Sequence, residues 1–330
     1  MKNSLSILLA FALLFSAAAC TPEQNDPEGL TTTGEAWNIT EHSAVLTGYL
    51  NIAPQKVGTT MVGIMYDKDS SFENGKKIRA TWVDKNNMFG FTVIGLESGT
   101  TYYYKSYDQN GEDIKYGDVK TFTTKESHCP EGAIDLGVVI VREDGTAYTL
   151  YWAQSNLSAD GFCANPEDVG DYYAWGETEP KSSYSWATYK FRTGEEFSKY
   201  NTSSAYGALD HRTVLDLSDD AARAALGGNW RMPTEEEWEA LRTQCTLSWR
   251  IQNGVKGQLV TASNGNSIFL PAAGYRSGSS LNDTGHGSYW SSSLYTVDPG
   301  DAWYMHFYSG FVYMDNIGRD CGLLIRPVTE

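Results

Sequence analysis

"AWYMHFYSGFVYMDNIGRDCGLLIRPV" (residues 302–328) is the stretch whose reading decides the fold of the C-terminal half. Side chains along a β-strand alternate between two faces. Trp303, Met305 and Phe307 therefore share one face, and Tyr304, His306 and Tyr308 share the other. Ser309-Gly310 is a turn signal, and beyond it Val312 and Met314 alternate with Phe311, Tyr313 and Asp315. The pattern predicts a hairpin that pairs 303–308 with 311–315. Met305, Phe307, Val312 and Met314 suffice for an inner face. The other face carries Tyr304, Tyr308, Phe311 and Tyr313, interrupted by His306 and Asp315, which is the composition of an interaction surface.

The 330 residues carry 25 Lys and Arg against 41 Asp and Glu, a formal net charge of −16. That sign argues against a phosphate-backbone partner, so no nucleic acid ligand is expected. The length suits about two domains. At the N-terminus, Lys2 precedes an apolar run over 5–15 that is too short to span a bilayer, and "SAAAC" ends at Cys20. "TPEQNDPEG" then has the composition of a flexible tether. Cys129, Cys163, Cys245 and Cys321 form no CxxC pair, so no zinc site is expected, and their disulfide pairing stays open.

From 31 to 125 the chain reads as short strands: "SAVLTGYL", "TTMVGIMYD", "FGFTVIGL", "TTYYYKSYD" and "GDVKTFTTK", with Gly, Asn and Asp between them. This predicts a β-sandwich. "KESHCPEG" marks a joint, and the composition changes beyond it, where eight of the ten tryptophans follow Tyr151. In "GNWRMPTEEEWEALRTQC", Thr234 and Glu237 predict a capping box, with Trp238 and Leu241 on the buried face of the helix. A second helix is predicted in "SDDAARAAL", beginning at Ser218.

Three resemblances extend this reading. "SAAAC" is similar to the lipobox of bacterial lipoproteins, with Ala17 where Leu is usual. It implies cleavage before Cys20, acylation of that cysteine and an outer-membrane, surface-exposed protein. Leu96, Thr100 and Tyr102 in "LESGTTYYY" resemble the corner motif of fibronectin type III domains, with Ser98 in place of its proline. "DLGVVI…YWAQSNL", "DYYAWGETEP", "GNWRMPTEEEWEAL", "IFLPAAGYRSGSSL", "YWSSSL" and "IRPV" occur in the order found in a group of bacterial surface lipoproteins, including the Fibrobacter succinogenes major paralogous domain group. Their C-terminal domain resembles the C-type lectin fold, in the branch of formylglycine-generating enzymes and the variable proteins of diversity-generating retroelements. The implied organisation is multi-domain: a signal peptide (1–19), a tether (20–30), an all-β fibronectin type III-like sandwich (31–125) and an α+β C-type lectin-like domain (131–330).

In that family the terminal hairpin and its loops form the ligand face. Trp303, Phe307, Gly310, Val312, Arg319 and Arg326 match its scaffold. The intervening variable positions hold Tyr304, His306, Tyr308, Phe311, Tyr313, Asp315, Asn316, Ile317, Gly318, Asp320 and Cys321. Each of these residue types can be reached from an asparagine codon by changing adenines alone, which fits a diversified cassette; a static paralogue would carry a similar hairpin. The candidate ligand-binding set is Tyr295, Asp301, Tyr304, His306, Tyr308, Phe311, Tyr313, Asp315, Asn316, Ile317 and Asp320, with Cys20 as the lipidation site. Such a face suits an adhesin or receptor for a protein or glycan ligand; the alternative is a carbohydrate-binding component of a glycan-capture system. No enzymatic activity is expected, because formylglycine generation needs a cysteine pair where only Cys321 stands, and no hydrolase or P-loop motif occurs. "NPE" (165–167) and "GNW" (228–230) depart from the calcium-and-sugar motifs of animal lectins. No cofactor is expected, and a structural calcium stays open.

Overall fold

The computed structural model describes residues 29–51, 60–81 and 83–330. The expected signal peptide, Cys20 and most of the tether lie outside the described residues. The N-terminal unit contains β1 (Thr31–Thr33), β2 (Ser43–Leu50), β3 (Met61–Asp67), β4 (Lys76–Arg79), β5 (Met88–Ile94), β6 (Thr101–Asn110), β7 (Asp113–Tyr116) and β8 (Lys120–Thr123). One sheet runs β1-β2-β5 and the other β4-β3-β6-β7, with β8 also on β6. The period of two turns Ala44, Leu46, Phe89 and Val93 of the first sheet toward Ile64, Tyr66, Tyr102, Tyr104 and Phe122 of the second, and these form a common core. The Tyr102 hydroxyl accepts the Glu97 N–H at 2.9 Å, tying strand β6 to the turn before it.

The joint is packed rather than open-ended. His42, just before β2, places Nδ1 2.8 Å from the Leu96 carbonyl and Nε2 2.9 Å from the Asp135 carboxylate. The Ser127 hydroxyl also donates to Asp135. Burial pulls the His42 pKa down, but Asp135, the Leu96 carbonyl and nearby negative charge outweigh it, so the net shift is upward. Asp135 moves the complementary way, below the usual carboxylate range, because the bonds from His42, Ser127 and the Gly137 N–H outweigh its burial. Thr92 donates to the Gly145 carbonyl at 2.6 Å and Thr149 to Glu41 at 3.0 Å, adding two more bonds across the joint. An open cleft of about 900 Å³ runs along it, lined by no residue of the 301–318 hairpin, and its polar groups His42, Ser127 and Asp135 satisfy one another.

Beyond the joint come β9 (Ala133–Val141), β10 (Ala147–Ala153), β11 (Leu157–Ser158), β12 (Gly161–Phe162), β13 (Arg192–Thr193) and β14 (Glu196–Phe197). Two helices follow, α1 (Ala221–Leu226) and α2 (Glu235–Gln244). The chain continues through β15 (Thr246–Gln252), β16 (Val255–Thr261), β17 (Ser267–Pro271), β18 (Tyr275–Ser277), β19 (Ser280–Asn282), β20 (Gly287–Leu294), β21 (Asp301–Tyr308), β22 (Phe311–Gly318) and β23 (Val328–Thr329). β23 pairs with β10, so the two ends of this unit close on each other. The whole is a largely β, multi-domain architecture with a small helical contribution near the C-terminal sheets.

Helix α2 starts where its cap chemistry dictates. Thr234 accepts the Glu237 N–H, and the Glu237 carboxylate accepts the Thr234 N–H, so two orphan donors of the first turn are satisfied. Trp238 and Leu241 are fully buried, and Trp238 packs 4.7 Å from Trp152. Helix α1 corrects the sequence expectation. Its cap is Asp220, not Ser218, because 217–219 turns as a 3-10 helix and Asp220 accepts the Arg223 N–H.

Candidate ligand-binding face

The predicted hairpin forms and is longer than expected, pairing all of β21 with all of β22. Directly opposed residues share a face. Met305 opposes Met314 and Phe307 opposes Val312 on the inner side; Tyr304 opposes Asp315, His306 opposes Tyr313 and Tyr308 opposes Phe311 on the other. Strand β20 adds a third member, setting Trp290 beside Tyr304 and Ser288 beside His306. Met305 and Phe307 are fully buried. The fit is close: a Cβ at Gly287 would lie 1.9 Å from the Phe307 ring, so only glycine admits that ring opposite it.

The second face changes character along its length. At the turn end, Phe311 is 58% exposed and Tyr313 38% exposed. Tyr308 packs 5.0 Å from Phe311, and His306 packs 5.2 Å from Tyr313. His286, which precedes β20, stacks on Tyr308 at 4.8 Å. Its Nδ1 shares a hydrogen bond of 3.1 Å with Nε2 of His306, one ring donating its N–H and the other accepting. The Tyr304 hydroxyl lies 3.2 Å from the remaining His306 nitrogen. Five ring side chains and a relay of polar atoms thus form one continuous patch.

Tyr304 corrects the expectation of a solvent-facing anchor, since it is only 6% exposed. Trp290 packs against it from β20. Burial pushes its phenol pKa up. It therefore forms the floor of the patch. Ile317 is half-buried and packs on the core, and Asn316 opposes Trp303 across the hairpin, outside the aromatic face. Asp320 is half-buried, and burial raises its pKa. Tyr295 and Asp301 sit at the opposite end of the hairpin, with Tyr295 edge-on to Trp303 at 5.0 Å and its N–H donating to the Asp301 carbonyl. Tyr308 lies seven steps along the strand from Asp301, roughly 24 Å away. The predicted set thus divides: His306, Tyr308, Phe311, Tyr313 and Asp315 come together, while Tyr295, Asp301, Asn316, Ile317 and Asp320 do not join them.

His286 was not singled out in the sequence. No local signal marks it: only the strand pairing does, since extending the β20 register by one residue puts 286 opposite 308, on the aromatic face. Among the described residues, no group of three or more His, Cys, Asp or Glu side chains is arranged to hold a metal ion. Cys321 is half-buried, with its thiol pushed up to about 12 by burial, so it is not a poised nucleophile.

The His pair predicts a pH effect. Burial, then the neighbouring His286, holds His306 below the ordinary imidazole value of 6.5. The unfolded chain therefore binds the proton more readily than the folded one. Stability contributed by neutral His306 is present above about pH 6.5 and falls as pH drops toward its depressed folded value. His42 runs the other way, losing its contribution as pH rises through its elevated value. Unfolding curves of wild type and His306→Gln across pH 5–8 check this: the variant should lose the acid-side decline and keep the His42 trend. Parallel curves throughout would contradict it.

The aromatic face is suited to ligand binding, and the family that the chain matches is that of a non-catalytic domain. The chain belongs to the Lcl C-terminal domain family, which matches residues 146–329. No curated protein matches it. Among solved structures, it is similar to the sensor domain of the anti-sigma factor RsgI4 of Pseudobacteroides cellulosolvens, at 18% identity and a TM-score of 0.25, covering 31% of this chain and 98% of that one. It is also similar to the fibronectin type-III domain of human fibronectin type III domain containing protein 3, at 15% identity and a TM-score of 0.25, covering 33% of this chain and 98% of that one. At such TM-scores these likenesses carry no argument.

Proposed function

We propose that the chain is a lipid-anchored, surface-exposed outer-membrane adhesin or receptor. In this reading 1–19 is its leader, 20–30 the tether, 31–125 a fibronectin type III-like spacer and 131–330 a C-type lectin-like domain that binds a macromolecular ligand. The observation that carries it is the patch of His286, His306, Tyr308, Phe311 and Tyr313, open to solvent at Phe311 and Tyr313 and backed by the Met305 and Phe307 core. Stiff amphipathic rings with a few adaptable polar groups make contact area at low entropic cost, as in protein-binding paratopes. The Tyr102 bond to Glu97 supports the spacer assignment, since a tyrosine tied back to upstream backbone is a feature of such sandwiches. Descent from a diversified cassette is supported by the residue types of the hairpin. A near-copy of its coding sequence, differing at adenines beside a reverse transcriptase gene, tests that descent.

Screening the chain on protein and glycan arrays tests the ligand class. The expected result is capture of a protein ligand, weakened at least about tenfold by Phe311→Ala or Tyr313→Ala, which corresponds to 1.4 kcal/mol. Capture confined to glycans would favour the carbohydrate-binding alternative, since the same ring faces can stack on sugars. Binding unaffected by either substitution would move the site elsewhere.

A further inference from the structure

The hairpin that carries the aromatic face ends in an open edge. Strands β20, β21 and β22 pair in that order, so β22 is an outer strand. The Arg319 N–H donates to the Gly300 carbonyl at 2.9 Å, which continues the β21–β22 ladder by one pair and fixes its parity. The odd residues of β22 therefore bond to β21. Val312, Met314 and Asn316 turn their N–H and C=O groups outward, spaced about 6.8 Å apart. Among the described residues, nothing bonds the N–H or C=O of Val312 or Met314 from that side. The Asn316 N–H is held by the Asp315 carboxylate at 2.9 Å, and its carbonyl is open.

Other edges are closed or guarded. On the far side of the same sheet, the Trp290 N–H donates to the Leu324 carbonyl at 3.0 Å, and the Leu324 N–H to the Ser288 carbonyl at 3.1 Å. The Gln244 side-chain amide satisfies both backbone groups of Val139 on β9, at 2.9 and 2.7 Å. β4, an outer strand of the N-terminal unit, carries Lys76, Lys77 and Arg79. β22 has none of these devices: it runs eight residues with no Lys, Arg or Pro, and its pairing with β21 has no bulge. Proteins guard outer strands because an open one templates pairing, so an unguarded edge beside the aromatic face is an interaction surface in its own right.

We infer that β22 pairs with β22 of a second copy of this chain, antiparallel across a two-fold axis at Met314. The self-complementarity of the strand argues for this occupant. With that centre, the outward N–H and C=O of Met314 meet those of the partner's Met314, and the Val312 N–H meets the carbonyl of the partner's Asn316. The bond between Asn316 and Asp315 is undisturbed. On the aromatic face, Asp315 falls opposite the partner's Tyr313, whose hydroxyl donates to the carboxylate, and Phe311 falls opposite the partner's Ile317. Other centres of the same parity fit worse: Asp315 at the axis would oppose two carboxylates, and Tyr313 at the axis would set Asp315 against the partner's Phe311. The two sheets become one, and the two aromatic patches become one bivalent surface. The pairing rests on backbone geometry and register, whatever that surface binds.

Sedimentation equilibrium tests this, using the leader-free chain with Cys20→Ala and Cys129→Ala so that no exposed native thiol contributes. A strand pair alone is a small interface, so a monomer–dimer equilibrium is expected in the micromolar range. Met314→Pro removes the central outward N–H and no bond to β21, and should weaken dimerisation at least about tenfold. Ile251→Pro, on the outer strand β15 of a different sheet, should leave it unchanged. Oxidative cross-linking reads the register without proline, and decides the matter if Met314→Pro fails to fold. A mixture of Tyr313→Cys and Asp315→Cys chains should give a disulfide-linked dimer, since those positions face each other with Cα atoms about 4.5 Å apart. Either variant alone should not, because its like positions lie about 7–8 Å apart. A chain that stays monomeric throughout the micromolar range, a dimer weakened by Ile251→Pro rather than Met314→Pro, or linkage in one variant alone as ready as in the mixture would each overturn the pairing.

Discussion

Replacing Phe307 with alanine lowers the unfolding free energy by about 3–5 kcal/mol, the expected cost of truncating a fully buried phenylalanine. The site cannot collapse onto the gap. Phe307 stacks 5.8 Å from Tyr289, lies opposite Val312, and covers Gly287, which has no side chain to advance into the space. The strands on both sides are held by ladder bonds. Equilibrium denaturation followed by tryptophan fluorescence reads the change. A loss below about 1 kcal/mol would mean that the two faces of the hairpin are assigned in reverse.

Arg326→Ala is expected to cost at least about 3 kcal/mol. The guanidinium is fully buried and donates to Asn156 at 3.0 Å, to the Ala153 carbonyl at 3.0 Å and to the Phe269 carbonyl at 2.6 Å. Burial lowers its pKa to about 10, so it stays charged at neutral pH. Truncation strands three buried acceptors, each costing about 1–3 kcal/mol when left unpaired. The acceptors belong to two segments far apart in the chain, 153–156 at the end of β10 and Phe269 in β17, and this one side chain ties both to the C-terminus. Arg326→Met restores most of the volume and none of the donors, and it should rescue little. Recovery of wild-type stability by methionine would show that volume, not hydrogen bonding, sets the cost.

What was legible in the sequence was whatever local chemistry decides. Thr234 and Glu237 specify the start of α2 within four residues, and the alternation from 303 to 315 specifies the hairpin and its inner face. Ser218 misled because Asp220 also caps well, and the 3-10 turn ahead of it absorbs the earlier residues. Tyr304 shows the limit of periodicity. Alternation tells which side of a sheet a residue takes, but not whether Trp290 will pack over it. Ile317 belongs to the same class, because the core it packs on comes from distant chain. His286 joined the face through a strand register that only pairing reveals.

The most direct test measures ligand affinity and unfolding free energy on the same two proteins, Phe311→Ala/Tyr313→Ala and Phe307→Ala. Both outer residues are exposed, so the double variant should lose at least about tenfold in affinity for the array-identified ligand while its stability stays within about 0.5 kcal/mol of wild type. Phe307→Ala, measured where it remains folded, should keep its affinity within a few-fold and lose its stability. A double variant that unfolds, or that binds as wild type does, would contradict the assignment of this aromatic face as the ligand-binding surface.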